Sequence, residues 1–291
     1  MKLTTGERIF GVFNVIGLVL LSVAAIYPLI FVLFASFSEP GQLVQNRGLL
    51  LFPKGFTLEA YRMVFMNPAI GTAYFNTLFF VVVGTTVNIV LSSMAAYGLS
   101  RRDVMWKHVI MFMIVFTMFF DGGLIPSYLL VGNLGMLDSR WALIIPGAIS
   151  AFNLIIMRTA FQAVPVELEE SARLDGAGDF RICWSIVFPL SLPVIAVMLL
   201  FYGVSHWNSW FSALIYLQTR SLFPLQLILR EILIANDTSS MLTSVSSGDQ
   251  MPVGQTIKYA TIIVATVPVL FVYPFLQKYF VKGVMIGAIK G

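Results

Sequence analysis

The residues best suited to chemistry sit in one block, Glu167 to Pro189, "ELEESARLDGAGDFRICWSIVFP". It holds three glutamates, two aspartates and two arginines in a chain that is only 11% charged and 58% hydrophobic. Charges of both signs steer and fix a partner. The small residues among them, Ser171, Ala172, Gly176, Ala177 and Gly178, let another protein's surface approach closely. The block reads either as a solvated loop between apolar segments or as a docking helix. A solvated loop does not require small residues in a fixed pattern, and docking does.

Catalytic and metal chemistry find less support. His108 and His206 stand in no metal-binding spacing. The one cysteine, Cys183, excludes an internal disulfide and reads as packing. There is no G-x-x-x-x-G-K-[ST] phosphate loop; the nearest stretch, "GDQMPVGQT" at 248–256, lacks the lysine and the spacing. The chain is therefore expected to bind neither nucleotide nor metal itself. No G-x-S-x-G elbow occurs, and Asn236-Asp237-Thr238 reads as a chance glycosylation triplet.

Five further residues could contact a polar solute: Asp121, Asn153, Trp207, Asn208 and Trp210. Acids inside apolar spans are costly and often functional. Asp121, beside Gly122-Gly123, reads either as a hydrogen-bond acceptor on a solute path or as an outer-interface residue. Asn153 and Asn208 carry amides that bond hydroxyls. Trp207 and Trp210 could stack on the apolar face of a ring-shaped solute or belong to an interfacial aromatic belt. Asn76 and Asn88 read as polar groups of helix packing.

The elements that position these residues follow from composition. Mean hydropathy is +0.87 and aromatic residues make up 14%. Repeated charge-free apolar runs indicate an all-α polytopic membrane protein rather than a β-barrel. Six transmembrane helices are expected, near 10–37, within 63–100, 109–131 (interrupted by Asp121-Gly122-Gly123 and Pro126), 141–161, 182–207 and 259–280. The first run is too long for a cleaved leader. Placing both termini on the cytoplasmic side assigns eleven of the 18 lysines and arginines to inner segments. The net charge of +4 then reflects cationic inner loops, with membrane lipid rather than nucleic acid as neighbour. Outer segments 56–65 and 224–234 read as short interfacial helices, and 239–248 as a serine-rich loop. The whole chain, 1–291, is expected to be a single domain.

Within the charged block, Pro165 suits a helix start, and Glu167, Glu169 and Glu170 follow where anions are favoured. Gly176 and Gly178 end that helix. A second helix is expected from Asp179 as cap, broken at Pro189 and Pro193.

These residues carry a resemblance. Glu170-Ser171-Ala172, then Gly176, Ile186 and Pro189, is similar to the "EAA" signature of permeases of ATP-binding-cassette (ABC) importers, with Ser171 where alanine is usual and Phe188 where leucine is common. The stretch 119–177, "FFDGGLIPSYLLVGNLGMLDSRWALIIPGAISAFNLIIMRTAFQAVPVELEESARLDGA", and the terminal "FVKGVMIGAIKG" resemble the maltose-type oligosaccharide permeases, in the Bacillus-like branch related to alginate and rhamnogalacturonan importers. The resemblance implies a type I importer permease fold with a cytoplasmic coupling helix in a loop at about 162–181. Glu169, Glu170, Ser171, Ala172, Leu174, Asp175, Gly176, Ala177 and Pro189 would couple it to an ATPase. It further implies a homologous second permease, two ATPase subunits that hold ATP and magnesium, an extracytoplasmic solute-binding protein, and a place in a bacterial inner membrane. An ion-coupled secondary transporter is the alternative. It would need paired charges at the membrane midplane, and Asp121 alone is available.

Overall fold

A computed structural model describes residues 4–46, 48–234 and 250–288. The expected serine-rich loop at 239–248 and the triplet at Asn236 lie outside the described residues. The described residues are helical, with no strand beyond an isolated Ser38–Phe56 bridge. The chain divides into two compact units, Met1–Ile70 with Leu229–Pro268, and Gly71–Ile228 with Val269–Gly291.

In the first unit, α1 (Thr5–Ser36) is capped by Thr4 in a reciprocal bond with Glu7. Its span Ile9–Ser36 is apolar all round and almost wholly exposed. Two short helices follow, α2 (Pro40–Gln45) and α3 (Glu59–Met66). Glu59 N–H bonds the Thr57 hydroxyl, and the helix begins one residue later than that cap would set it.

The next helix runs Pro68–Ser100, as α4 (Pro68–Phe79), a π turn (Phe80–Gly84) and α5 (Thr85–Ser100). The π turn ends on Gly84, which packs against His206 in the second unit. A Cβ on Gly84 would lie 2.5 Å from His206 Nε2, so glycine is what lets the His206 ring pack against this backbone.

α6 (Lys107–Phe119) and α7 (Leu124–Asn133) form one expected span bent by 115°. Asp121, Gly122 and Gly123 fill the break; Gly123 has φ +85° and its carbonyl accepts from the Ser127 hydroxyl.

The fourth expected span differs from its forecast. It is a 3-10 turn (Arg140–Leu143), an irregular stretch to Ser150, and α8 (Ala151–Gln162), which at 12 residues is about 18 Å long. That is well short of a bilayer core of about 30 Å. After α9 (Val166–Leu174), the fifth expected span is α10 (Asp179–Ile182), a π turn (Cys183–Val187), α11 (Phe188–Leu190) and α12 (Leu192–Trp207), bent by 88°. Pro189 and Pro193 bracket that bend, where missing N–H donors prevent a continuous ladder. α13 (Trp210–Tyr216), a 3-10 turn (Arg220–Leu222), α14 (Leu225–Ile234) and α15 (Gln250–Ala288) complete the chain. Among the described residues three helices are long and apolar enough to cross a membrane, or up to five if each bent pair is one span. By length and composition the described residues account for up to five of the six expected spans; in the fourth, 144–150 is irregular ahead of α8.

The main core of the second unit joins α5 (Ile89, Ala96, Tyr97), α8 (Leu154, Met157, Phe161), Ala172 of α9, and α12 (Ile195, Met198, Tyr202). Cys183 is buried in it, as its packing role requires.

Candidate functional site

The charged block forms a compact helix and turn. α9 starts after Pro165 and ends in a closed turn. Ala177 N–H donates to the Ala172 carbonyl at 2.9 Å, and Gly176 N–H donates to the Arg173 carbonyl at 3.0 Å. Gly176 has φ +78°. This is a Schellman closure, and it explains the glycine at that position: a side chain there would strain the left-handed backbone.

The closure sorts the block into two faces. Ala172 is buried in the core, with Ala177 packed against it. Glu169 is only 5% exposed and pairs with Arg101. Glu170, Ser171, Asp175 and Gly176 face outward, and Leu174 is 90% and Phe180 70% exposed. Asp179 does not cap α10, whose N-cap is Gly178. Its carboxylate accepts instead from Tyr97 Oη at 3.2 Å and from Arg173 at 3.0 Å. The Arg173 guanidinium is held above its usual pKa by that bond. Arg101 also lies 4.6 Å over the Tyr97 ring, and burial pushes its pKa down. A cavity of about 430 Å³ opens beside these groups, lined among others by Arg101, Arg102, Lys107, Glu169, Glu170 and Arg173. Pro189 stands apart in α11, at the bend before α12.

A second feature is a polar cavity of about 560 Å³. Of the five solute-facing candidates it brings together Asn153 and Asn208. Trp207 is buried, edge-on to Tyr74. Trp210 meets Phe211 edge-on, and Asp121 is exposed in the α6–α7 break. None of these three lines the cavity. Lining residues that the sequence reading passed over include Ser150, Tyr202, Ser205, His206 and Ser209. A signal for them existed: Tyr202, Ser205, His206 and Ser209 recur at helical spacing within an apolar run, which puts them on one face.

The cavity wall is held by a polar network from α5. Asn88 donates its amide to the Gly147 and Ala148 carbonyls at 3.1 and 2.8 Å. Its Oδ1 meets His206 Nε2 at 2.7 Å. Since the amide nitrogen is committed to carbonyls, Oδ1 must accept, so Nε2 carries the proton. His206 is thus a buried member of this network. One turn on, Ser92 shares a hydrogen bond of 2.7 Å with Tyr202 Oη, which accepts from Ser150 N–H at 3.1 Å. Irregular backbone at membrane depth needs such partners. Asn88 supplies two of them and Tyr202, itself bonded to Ser92, supplies the third, and these bonds hold the irregular backbone at 147–150.

Comparison with known proteins agrees with the geometry. The family model described as binding-protein-dependent transport system inner membrane component matches residues 79–286. The polygalacturonan/rhamnogalacturonan transport system permease protein YtcP of Bacillus subtilis is 45% identical over 98% of this chain and 99% of its own. Protein LplC of the same organism is 43% identical over 100% and 98%. A solved bacterial ABC transporter involved in the import of the acidic polysaccharide alginate has a chain that superposes with a TM-score of 0.89, at 33% identity, covering 96% of this chain and 99% of that one. With helices, charged loop and cavity described, the chain belongs to the family of binding-protein-dependent transport system inner membrane components.

Proposed function

We propose that this permease is one of two membrane subunits of an ABC importer that moves an oligosaccharide across a bacterial inner membrane, with ATP hydrolysed on separate ATPase subunits. The observation that carries it is the outward face of the α9 loop, where Glu170, Leu174 and Phe180 are exposed around a turn fixed by Gly176. Exposed apolar side chains framed by charge suit a protein cleft. Glu170, Ser171, Leu174, Asp175 and Gly176 meet the ATPase. Ala172 and Ala177 seat the loop from below, and Glu169 acts from inside the chain.

Both termini and the α9 loop lie on the cytoplasmic side. A homologous permease completes the pathway, and an extracytoplasmic binding protein delivers the sugar to the outer loops. The chain acts as one permease domain from 1 to 291. The similarity to YtcP and to an alginate importer makes uronate-rich oligosaccharides the first class to test. The cavity lining offers hydroxyls, amides and the rings of Phe201, Tyr202 and Tyr216, which suit sugar hydroxyls and sugar faces.

The test is co-purification with the second permease and the ATPase, comparing the native chain with Gly176→Asp and Glu170→Lys. Retention of the ATPase by the native chain and its loss in both variants is expected. Equal retention in all three would show that α9 is a solvated loop and not a docking helix.

A further inference from the structure

We propose that Arg101 is a positioning residue that straps the α9 loop to the end of α5, so that α5 carries displacement of the loop to the polar cavity. The proposal rests on α9 being the ATPase-docking helix. Its own content is the route by which a push on that helix reaches the sugar path.

Arg101 is the residue that ends α5. Its side chain is 11% exposed and that of its partner Glu169 is 7% exposed. The guanidinium also donates to Ser100 Oγ at 3.0 and 2.7 Å and covers the Tyr97 ring. Tyr97 in turn donates to Asp179. Glu169 lies before the Gly176 turn and Asp179 after it, so both sides of the loop end on the last turn of α5. That turn is itself fixed from outside. Lys107 Nζ donates to the Arg101 carbonyl at 2.8 Å, and Arg158 Nε donates to the Leu99 carbonyl at 2.9 Å.

Further along the same helix, Ser92 and Asn88 hold Tyr202, His206 and the 147–150 turn. From Arg101 to Asn88 the helix spans about 20 Å. One rigid element therefore touches the docking loop at its end and the cavity wall at its middle. An exposed ion pair would be too weak and mobile to serve as the joint. A buried, multiply bonded one has a single geometry. Glu169 thus works inside the chain, whereas Glu170 beside it faces out.

Losing one partner strands a buried charge and threatens folding. The decisive variant therefore removes both charges, Arg101→Met with Glu169→Leu. The importer is assembled with its second permease, ATPase and binding protein in proteoliposomes. Three quantities are read: ATPase retained, ATP hydrolysed, and oligogalacturonate transported per ATP. The double variant is expected to keep the ATPase and hydrolyse ATP, while transport per ATP falls about fivefold or more, within the usual range of coupling between sites. Arg101→Lys, which keeps the charge toward Glu169, recovers most of the ratio. Native transport per ATP in the double variant overturns the strap and leaves the docking role of α9 standing. Loss of the ATPase in Glu169→Gln but not in Arg101→Met also overturns it, by making Glu169 a docking residue. A native chain that retains no ATPase overturns the docking reading, and the strap with it.

Discussion

At the scale of single residues, two glycines have assignable work. Gly176 sits at φ +78° in the closure of α9. A β-carbon there costs roughly 1–2 kcal/mol in the left-handed region. Gly176→Ala is therefore expected to lower the melting temperature modestly, while Gly178→Ala, at φ −76°, changes it little; a thermal-shift assay in detergent separates them. Gly84 faces the His206 ring, and Gly84→Val should cost about 1–3 kcal/mol by overpacking. Adding His206→Ala should recover part of that loss, and a fully additive double variant would show that the ring is not what Gly84 accommodates. Asp138 provides a pH signature outside the spans. Its carboxylate accepts from the Thr219 hydroxyl at 2.5 Å and from the Thr219 and Gln218 N–H groups at 2.7 and 2.8 Å. These bonds, the Thr219 hydroxyl first, hold its pKa below the ordinary value of 3.8. The tie between the 134–139 and 217–219 loops is therefore complete above that value and is lost as pH falls through the lowered one. Limited proteolysis of these loops should accelerate only at that acidic end, and Asp138→Asn should abolish the dependence.

At the scale of elements, the sequence showed some helices well and others poorly, and the division has a physical cause. The apolar runs of α1 and of Pro68–Ser100 are legible because each is a charge-free stretch, of 28 and 33 residues, longer than a bilayer core requires. The two bends at Asp121-Gly122-Gly123 and at Pro189 and Pro193 are legible from breaker residues. The irregular stretch 144–150 is not, because what supports it lies far away in sequence, in Asn88 of α5 and Tyr202 of α12. Ala172 and Glu169 were legible as members of the charged block, but their inward orientation depends on α5 and the core. The cavity was half legible: amides Asn153 and Asn208 were found, whereas Tyr202 was not singled out and His206 was weighed only as a metal ligand. Asn88→Ala tests the element-level account. It leaves two backbone carbonyls without their donor, at about 1–3 kcal/mol. Hydrogen exchange should rise at 147–150 before it rises in α8; uniform exchange would place the support elsewhere.

At the scale of the whole molecule, α1 exposes apolar side chains from Ile9 to Leu33, which fits burial in lipid. Orientation is open to a direct check, because the one native cysteine, Cys183, is buried. Ser171→Cys should react with a membrane-impermeant maleimide only in inverted vesicles, and Gln42→Cys only in right-side-out ones. The most direct test of the central claim, ATP-driven import, is uptake of labelled oligogalacturonate by proteoliposomes holding this chain, its second permease, the ATPase and the binding protein, with all ion gradients collapsed. Accumulation that requires ATP on the ATPase side, and survives the ionophores, is the predicted result. Accumulation that follows a proton or sodium gradient and ignores ATP would contradict it and establish a secondary transporter.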